Sequence, residues 1–87
     1  MPAVPEVTVT NATGATIAIV SDPYRKEVLL RCRGARVWIG FNEPAILNQG
    51  IWVNNGDGVV IAQPLCMADM YFVCATTAYI GAETVYG

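Results

Sequence analysis

The stretch RVWIGFNEPAILNQGIWVNNGDGVVIA, Arg36–Ala62, holds both tryptophans of the chain, a phenylalanine and a row of β-branched residues. It carries three charges, Arg36, Glu43 and Asp57. Large apolar residues stand at neighbouring positions, where a strand with one buried face needs them only at every second one. Within it, VWIGF and GIWV read as strands separated by a loop that contains Pro44, a residue unable to sit in a central ladder. NNGDG, Asn54–Gly58, is the strongest turn signal in the chain, because Asn and Gly tolerate positive φ. It is expected to join GIWV to VVIA as a hairpin.

The same grammar continues outward. EVTVT (Glu6–Thr10) alternates valine with polar residues, and NATGA breaks it. TIAIV (Thr16–Val20), KEVLLRC (Lys26–Cys32) and ARVWIGF (Ala35–Phe41) follow, parted by SDP and by Arg33-Gly34. GIWV (Gly50–Val53), VVIA (Val59–Ala62), MYFVCA (Met70–Ala75) and ETVY (Glu83–Tyr86) complete the set, with a single helical turn expected within PLCMADM (Pro64–Met70). About eight short strands at this spacing predict one all-β domain over residues 1–87, an antiparallel β-sandwich or jelly-roll-like small barrel. Residues 1–5 read as an extended N-terminal arm.

Composition sets the functional question. The chain has 87 residues, of which 54% are hydrophobic and 14% charged. Average domains are roughly 25% charged, and a domain this small buries only about 60–65% of the surface its unfolded chain exposes. Something outside the fold is expected to cover the excess. No apolar run approaches the roughly 18–20 residues of a membrane span, and MPAVPEVTVT lacks the basic and apolar regions of a secretory signal. A net charge of −2 argues against nucleic acid, whose partners are basic. Other protein chains are the expected cover.

Strand alternation says which residues need it. Val28, Leu30 and Cys32, Val37, Ile39 and Phe41, Ile51 and Val53, and Met70, Phe72 and Cys74 can form one core face. That leaves Leu29, Trp38, Trp52, Tyr71 and Val73 on the other faces. Fully burying each such side chain stabilises by roughly 1.5–3 kcal/mol, so a contiguous set of them marks an interface. Arg31, Arg33 and Arg36 are expected to rim it. The eight candidate contact residues are therefore Leu29, Arg31, Arg33, Arg36, Trp38, Trp52, Tyr71 and Val73.

No catalytic or metal constellation is expected. There is no histidine, hence no imidazole base and no triad of the usual kind. Glu43 and Asp57 are the carboxylates with loop positions, but spacing does not pair them. Cys32, Cys66 and Cys74 are an odd number without a CxxC, short of the four ligands of a zinc site. They read as buried reduced thiols, in keeping with a reducing cytoplasm. NNGDG lacks the alternating acidic ligands of a calcium loop, and no lysine follows any glycine turn as in a phosphate loop. NAT at Asn11 reads as a turn. A different use of the aromatics is a sugar platform, with Trp52 beside Asn54, Asn55 and Asp57.

The order VWIGF, a Pro44 loop, GIWV, NNGDG, VVIA and MYFVCATTAYIGAETV, over Arg36–Tyr86, resembles a group of small proteins encoded by tailed bacteriophages and prophages. The connection from Phe41 to Gly50 is short for that group. The resemblance implies a virion structural protein, either a capsid decoration or cement protein or a small head-tail or tail-associated subunit, assembled in the host bacterial cytoplasm. Its implied partner is the major capsid protein, while the leftover apolar face predicts contact with further copies of the chain, as a dimer or trimer. The resemblance implies no catalytic residues and so no enzyme; composition and motifs add the expectation of no cofactor, no nucleic acid and no membrane. A tail or receptor-binding module that binds carbohydrate is the alternative.

Overall fold

A computed structural model describes residues 3–86, with side chains from Glu6 onward. Eight strands and one 3₁₀ turn succeed each other. They are β1 (Ala3–Thr10), β2 (Ile17–Ile19), β3 (Arg25–Arg33), β4 (Val37–Phe41), β5 (Ile51–Val53), β6 (Gly58–Ala62), η1 (Leu65–Met67), β7 (Met70–Val73) and β8 (Thr77–Tyr86). They form two four-stranded sheets in the orders β1-β8-β3-β6 and β2-β7-β4-β5, every neighbouring pair antiparallel.

The first strand pairs with the last, the second with the seventh, the third with the sixth and the fourth with the fifth. The chain is thus a long double ribbon, tipped by the β4–β5 connection and wound around a core. This is the eight-stranded jelly roll, in which every link except β4–β5 crosses between sheets.

The alternation works as the sequence predicts on the long strands. Val28, Leu30 and Cys32 of β3, Val37 and Ile39 of β4, and Met70 and Phe72 of β7 point inward, and Cys74 continues the last series. Ala78, Ile80 and Ala82 of β8 close the same core. Alternate residues between them face away from the partner sheet, because side chains along a strand point to opposite faces.

Two expectations are corrected. NNGDG does not close a hairpin: β5 lies in one sheet and β6 in the other. The turn is a corner between sheets. Its Asp57 N–H bonds the Asn54 carbonyl at 3.0 Å, Gly56 takes φ 87, and Asn55 Oδ1 accepts from the Gly34 N–H at 2.9 Å. Val53 and Ile61 both enter the core, but from opposite layers. The last strand is also longer than ETVY. TAYIG, within the stretch left between MYFVCA and ETVY as a separator, is its first half, and Ala78 and Ile80 are fully buried there. Small residues and Gly81 blur the apolar alternation that would have announced it. At the other end, the backbone of Ala3 and Val4 pairs with Glu83 and Ala82, so the ladder reaches into the segment expected as an arm. Met1 and Pro2 lie outside the described residues.

The corners are fastened by specific bonds. The Thr13 hydroxyl donates to the Phe72 carbonyl at 2.9 Å, tying the β1–β2 link to β7. Arg25 is only 5% exposed; its Nη1 donates to the Cys66 carbonyl at 2.8 Å and its Nη2 to the Val20 carbonyl at 2.7 Å. One guanidinium thus holds the β2–β3 link against η1. Its fork of fixed donors makes arginine suited to bridging two acceptors at once.

Candidate functional site

The eight residues expected at an interface separate onto opposite sides of the sandwich. Leu29, Arg31 and Arg33 lie on the outer face of the β1-β8-β3-β6 sheet. Trp38, Trp52, Tyr71 and Val73 lie on the outer face of the other sheet, with Arg36 at its rim. They do not make one continuous surface.

The tryptophan side is largely covered by the chain itself. Trp38, Ala45 and Val73 form a second buried cluster, with Leu47 and Tyr71 packed against it. Ala45 and Leu47 come from the β4–β5 connection, which folds back over the sheet. Two glycines permit the approach. A Cβ at Gly40 would meet the Glu43 carbonyl and lie 2.9 Å from the Ala45 nitrogen. One at Gly14 would lie 2.5 Å from the Ala45 carbonyl oxygen. The Ala45 N–H also bonds the Gly14 carbonyl at 2.8 Å. Trp38 and Val73 are therefore buried within one chain, and Tyr71 is half-buried.

Trp52 is the exception. It stands opposite Trp38 on the rung between β5 and β4, on the edge strand and beyond the reach of that loop. The Arg36 guanidinium sits 5.7 Å from the Trp52 ring and 6.0 Å from the Trp38 ring, and its Nε donates to Asn54 Oδ1 at 2.8 Å. A cation over an indole face is attracted by the ring quadrupole. Here Arg36, Trp52 and Asn54 form an ordered, solvent-facing platform.

Among the described residues, nothing covers the opposite sheet in this way. Leu29 is paired with Val60 on β6 and Glu83 on β8. Val60 is 56% exposed, and Val85 shares the face. Beside this apolar strip, a shallow groove of about 460 Å³ runs among Glu6, Arg31, Arg33, Asp57, Gly58 and Gly81. Gly58 and Gly81 flank Arg31 on the neighbouring strands and leave its side chain free of lateral packing. Arg33 makes a bidentate ion pair with Glu6, at 2.9 and 3.2 Å, and lies 4.6 Å from the Tyr79 ring. Arg31 makes no ion pair among the described residues. Val60 escaped the sequence reading, although GVVIA signals it: with Val59 and Ile61 inward, the residue between them must face out.

The loop carboxylates do not meet in one depression. Glu43 lines a small hollow under the β4–β5 loop, and Asp57 lines the arginine groove. Among the described residues no three Cys, Asp or Glu side chains gather as metal ligands. Each thiol is free and donates to a backbone carbonyl: Cys32 to Ala35, Cys66 to Arg25 and Cys74 to Val9. Burial pushes the Cys32 thiol pKa up, and the neighbouring Cys74 and Asp57 push it further the same way. No described helix is long and apolar enough to cross a membrane. No protein-family model, curated protein or solved structure matches the chain.

Proposed function

We propose that the chain is a virion structural protein of a tailed bacteriophage, which docks on the capsid and decorates or cements it. The observation that carries this reading is the uncovered outer face of the β1-β8-β3-β6 sheet. Leu29 and Val60 lie there side by side, with Val85 diagonal to Leu29 and with Arg31, Glu27 and Glu83 around them, while the opposite face, Trp52 excepted, is largely covered by the chain's own loop. An apolar strip with a charged rim is the usual form of a protein contact. The resemblance over Arg36–Tyr86 supplies the class of partner, the major capsid protein. Repetition on a shell multiplies modest contacts into firm attachment. Fold alone does not select this role, since jelly rolls also serve as lectins and cupins.

The test is co-sedimentation of the purified chain with capsids that lack it, followed by imaging of the decorated shells. Regular added density, lost with Leu29→Asp, is the expected result. Absence of binding at saturating protein rejects the role.

A second reading rests on Trp52, which offers an exposed indole beside Arg36 and Asn54. This is the platform of a carbohydrate-binding tail or receptor module. Titration with host-surface oligosaccharides should then shift Trp52 fluorescence, and Trp52→Ala should abolish the shift.

A further inference from the structure

We infer that β6 is a docking edge for β6 of a second copy, joining two β1-β8-β3-β6 sheets into one continuous eight-stranded sheet. This concerns contact between copies and stands apart from the shell partner proposed above. The four free edges of the sandwich are not alike. β1 contains Pro5 and Glu6 and its register shifts between Val4 and Val7. β2 has three residues and a register shift, and β5 has three residues. Short length, bulges, charge and proline are the devices that keep edges from pairing. β6 has none of them. Its five residues, GVVIA, are uncharged and pair with β3 over five unbroken rungs.

The free hydrogen-bonding groups of β6 can be assigned. The Cys32 N–H donates to the Asp57 carbonyl at 3.0 Å and the Cys32 carbonyl accepts from the Gly56 N–H at 2.9 Å, so this end of the ladder is bonded, with two corner residues just before β6 facing Cys32. Bonded rungs alternate along an antiparallel ladder, so Leu30–Val59 and Val28–Ile61 are bonded too. The N–H and C=O groups of Gly58, Val60 and Ala62 therefore point away from β3. A second β6 related by a two-fold axis at Val60 places Val60 against Val60 and Gly58 against Ala62. All the outward groups are then satisfied in both copies.

This register is also complementary in its side chains. On the outer face the central row becomes Leu29, Val60, Val60 and Leu29, an unbroken apolar line across the joint. On each side of it, Glu27 of one copy and Arg31 of the other stand in one row, with only Ala62 and Gly58 between them. Three strand spacings of about 4.8 Å separate the two backbones, about 14 Å in all. Two long side chains reach across residues of that size, and neither Glu27 nor Arg31 has an ion pair within its own chain among the described residues. The two-fold axis makes the pair twice. A self-complementary patch of this kind is what a two-fold interface requires.

The test is sedimentation equilibrium of the full chain at low ionic strength. The wild-type protein should be a dimer. Val60→Lys should weaken association on the order of tenfold or more, with its thermal unfolding followed to show that the fold persists. Glu27→Arg and Arg31→Glu each create like-charge rows and should each weaken it by a similar order. An equimolar mixture of these two variants restores opposite charges in both rows, so it should dimerise as a heterodimer more tightly than either variant alone. A wild-type chain still monomeric at about 1 mM, a dimer unmoved by Val60→Lys, or a mixture no tighter than its components would each overturn the inference. None of these results bears on whether the chain binds a capsid.

Discussion

Trp38 and Trp52 stand opposite each other on one rung of the β4–β5 ladder, yet Trp38 is 9% exposed and Trp52 is 53% exposed. The asymmetry comes from the loop between their strands, whose Ala45 packs over the first ring and leaves the second to Arg36. Truncating them should therefore have different consequences. Trp38→Ala removes a buried indole and should cost about 3–5 kcal/mol of stability. Trp52→Ala should cost less than about 1 kcal/mol, mostly the contact with Arg36. Urea unfolding of both variants measures this, and equal losses would contradict the described packing.

Gly40 is the floor on which that loop rests. A methyl group there would strike the Glu43 carbonyl and the backbone of Pro44 and Ala45, and backbone cannot swing aside as a side chain can. Gly40→Ala should lift the loop, destabilise the fold by roughly 2–3 kcal/mol and shift tryptophan emission to the red as Trp38 meets water. Gly81→Ala is the control, since nothing lies within 4 Å of a Cβ there. An unshifted spectrum in Gly40→Ala would show that the loop does not cover Trp38.

Arg25 should matter more than any exposed arginine. Its guanidinium satisfies two backbone carbonyls, while its Nε is buried without a partner. Arg25→Ala leaves both acceptors unpaired, and buried polar groups without partners cost about 1–3 kcal/mol each. Lysine has one ammonium and cannot repeat the fork, so Arg25→Lys should recover only part of the loss. By contrast, Arg33→Ala breaks an exposed ion pair and should change stability by about 0.2–1 kcal/mol. Denaturant midpoints of the three variants give the order directly.

The Cys32 thiol should be slow to react in the native protein. Its pKa is raised from a cysteine's ordinary 9.0 by burial first, then by Cys74 and Asp57. The thiolate is the nucleophile, so alkylation at neutral pH should be much faster in denaturant than in buffer. The same shift has a stability consequence. The unfolded chain releases this proton at lower pH than the folded one, so the contribution is complete below pH 9.0 and is lost as pH rises through the higher folded value. Cys32→Ala should flatten the alkaline limb of the stability–pH curve. An unchanged limb would remove Cys32 as its source.

Strand identity, the first half of β8 apart, was legible in the sequence because it is local. The alternation of Val28, Leu30 and Cys32 with Glu27, Leu29 and Arg31 is visible residue by residue, as are the turns at Asn11–Gly14 and Asn54–Gly58. An inward-facing Cys32 and an outward-facing Trp52 follow from period alone. Sheet membership was not legible. An Asn-Gly turn has much the same backbone whether its flanking strands pair or part into separate layers, so NNGDG looks like a hairpin and is a corner. What decides is pairing between distant segments, Val7 with Ile80 or Leu29 with Val60, and no local pattern encodes a partner dozens of residues away. The same holds for the two tryptophans. Both were placed on the outer face by alternation, but only the folded path of the β4–β5 loop, let down onto the sheet by Gly40 and Gly14, buries one and exposes the other.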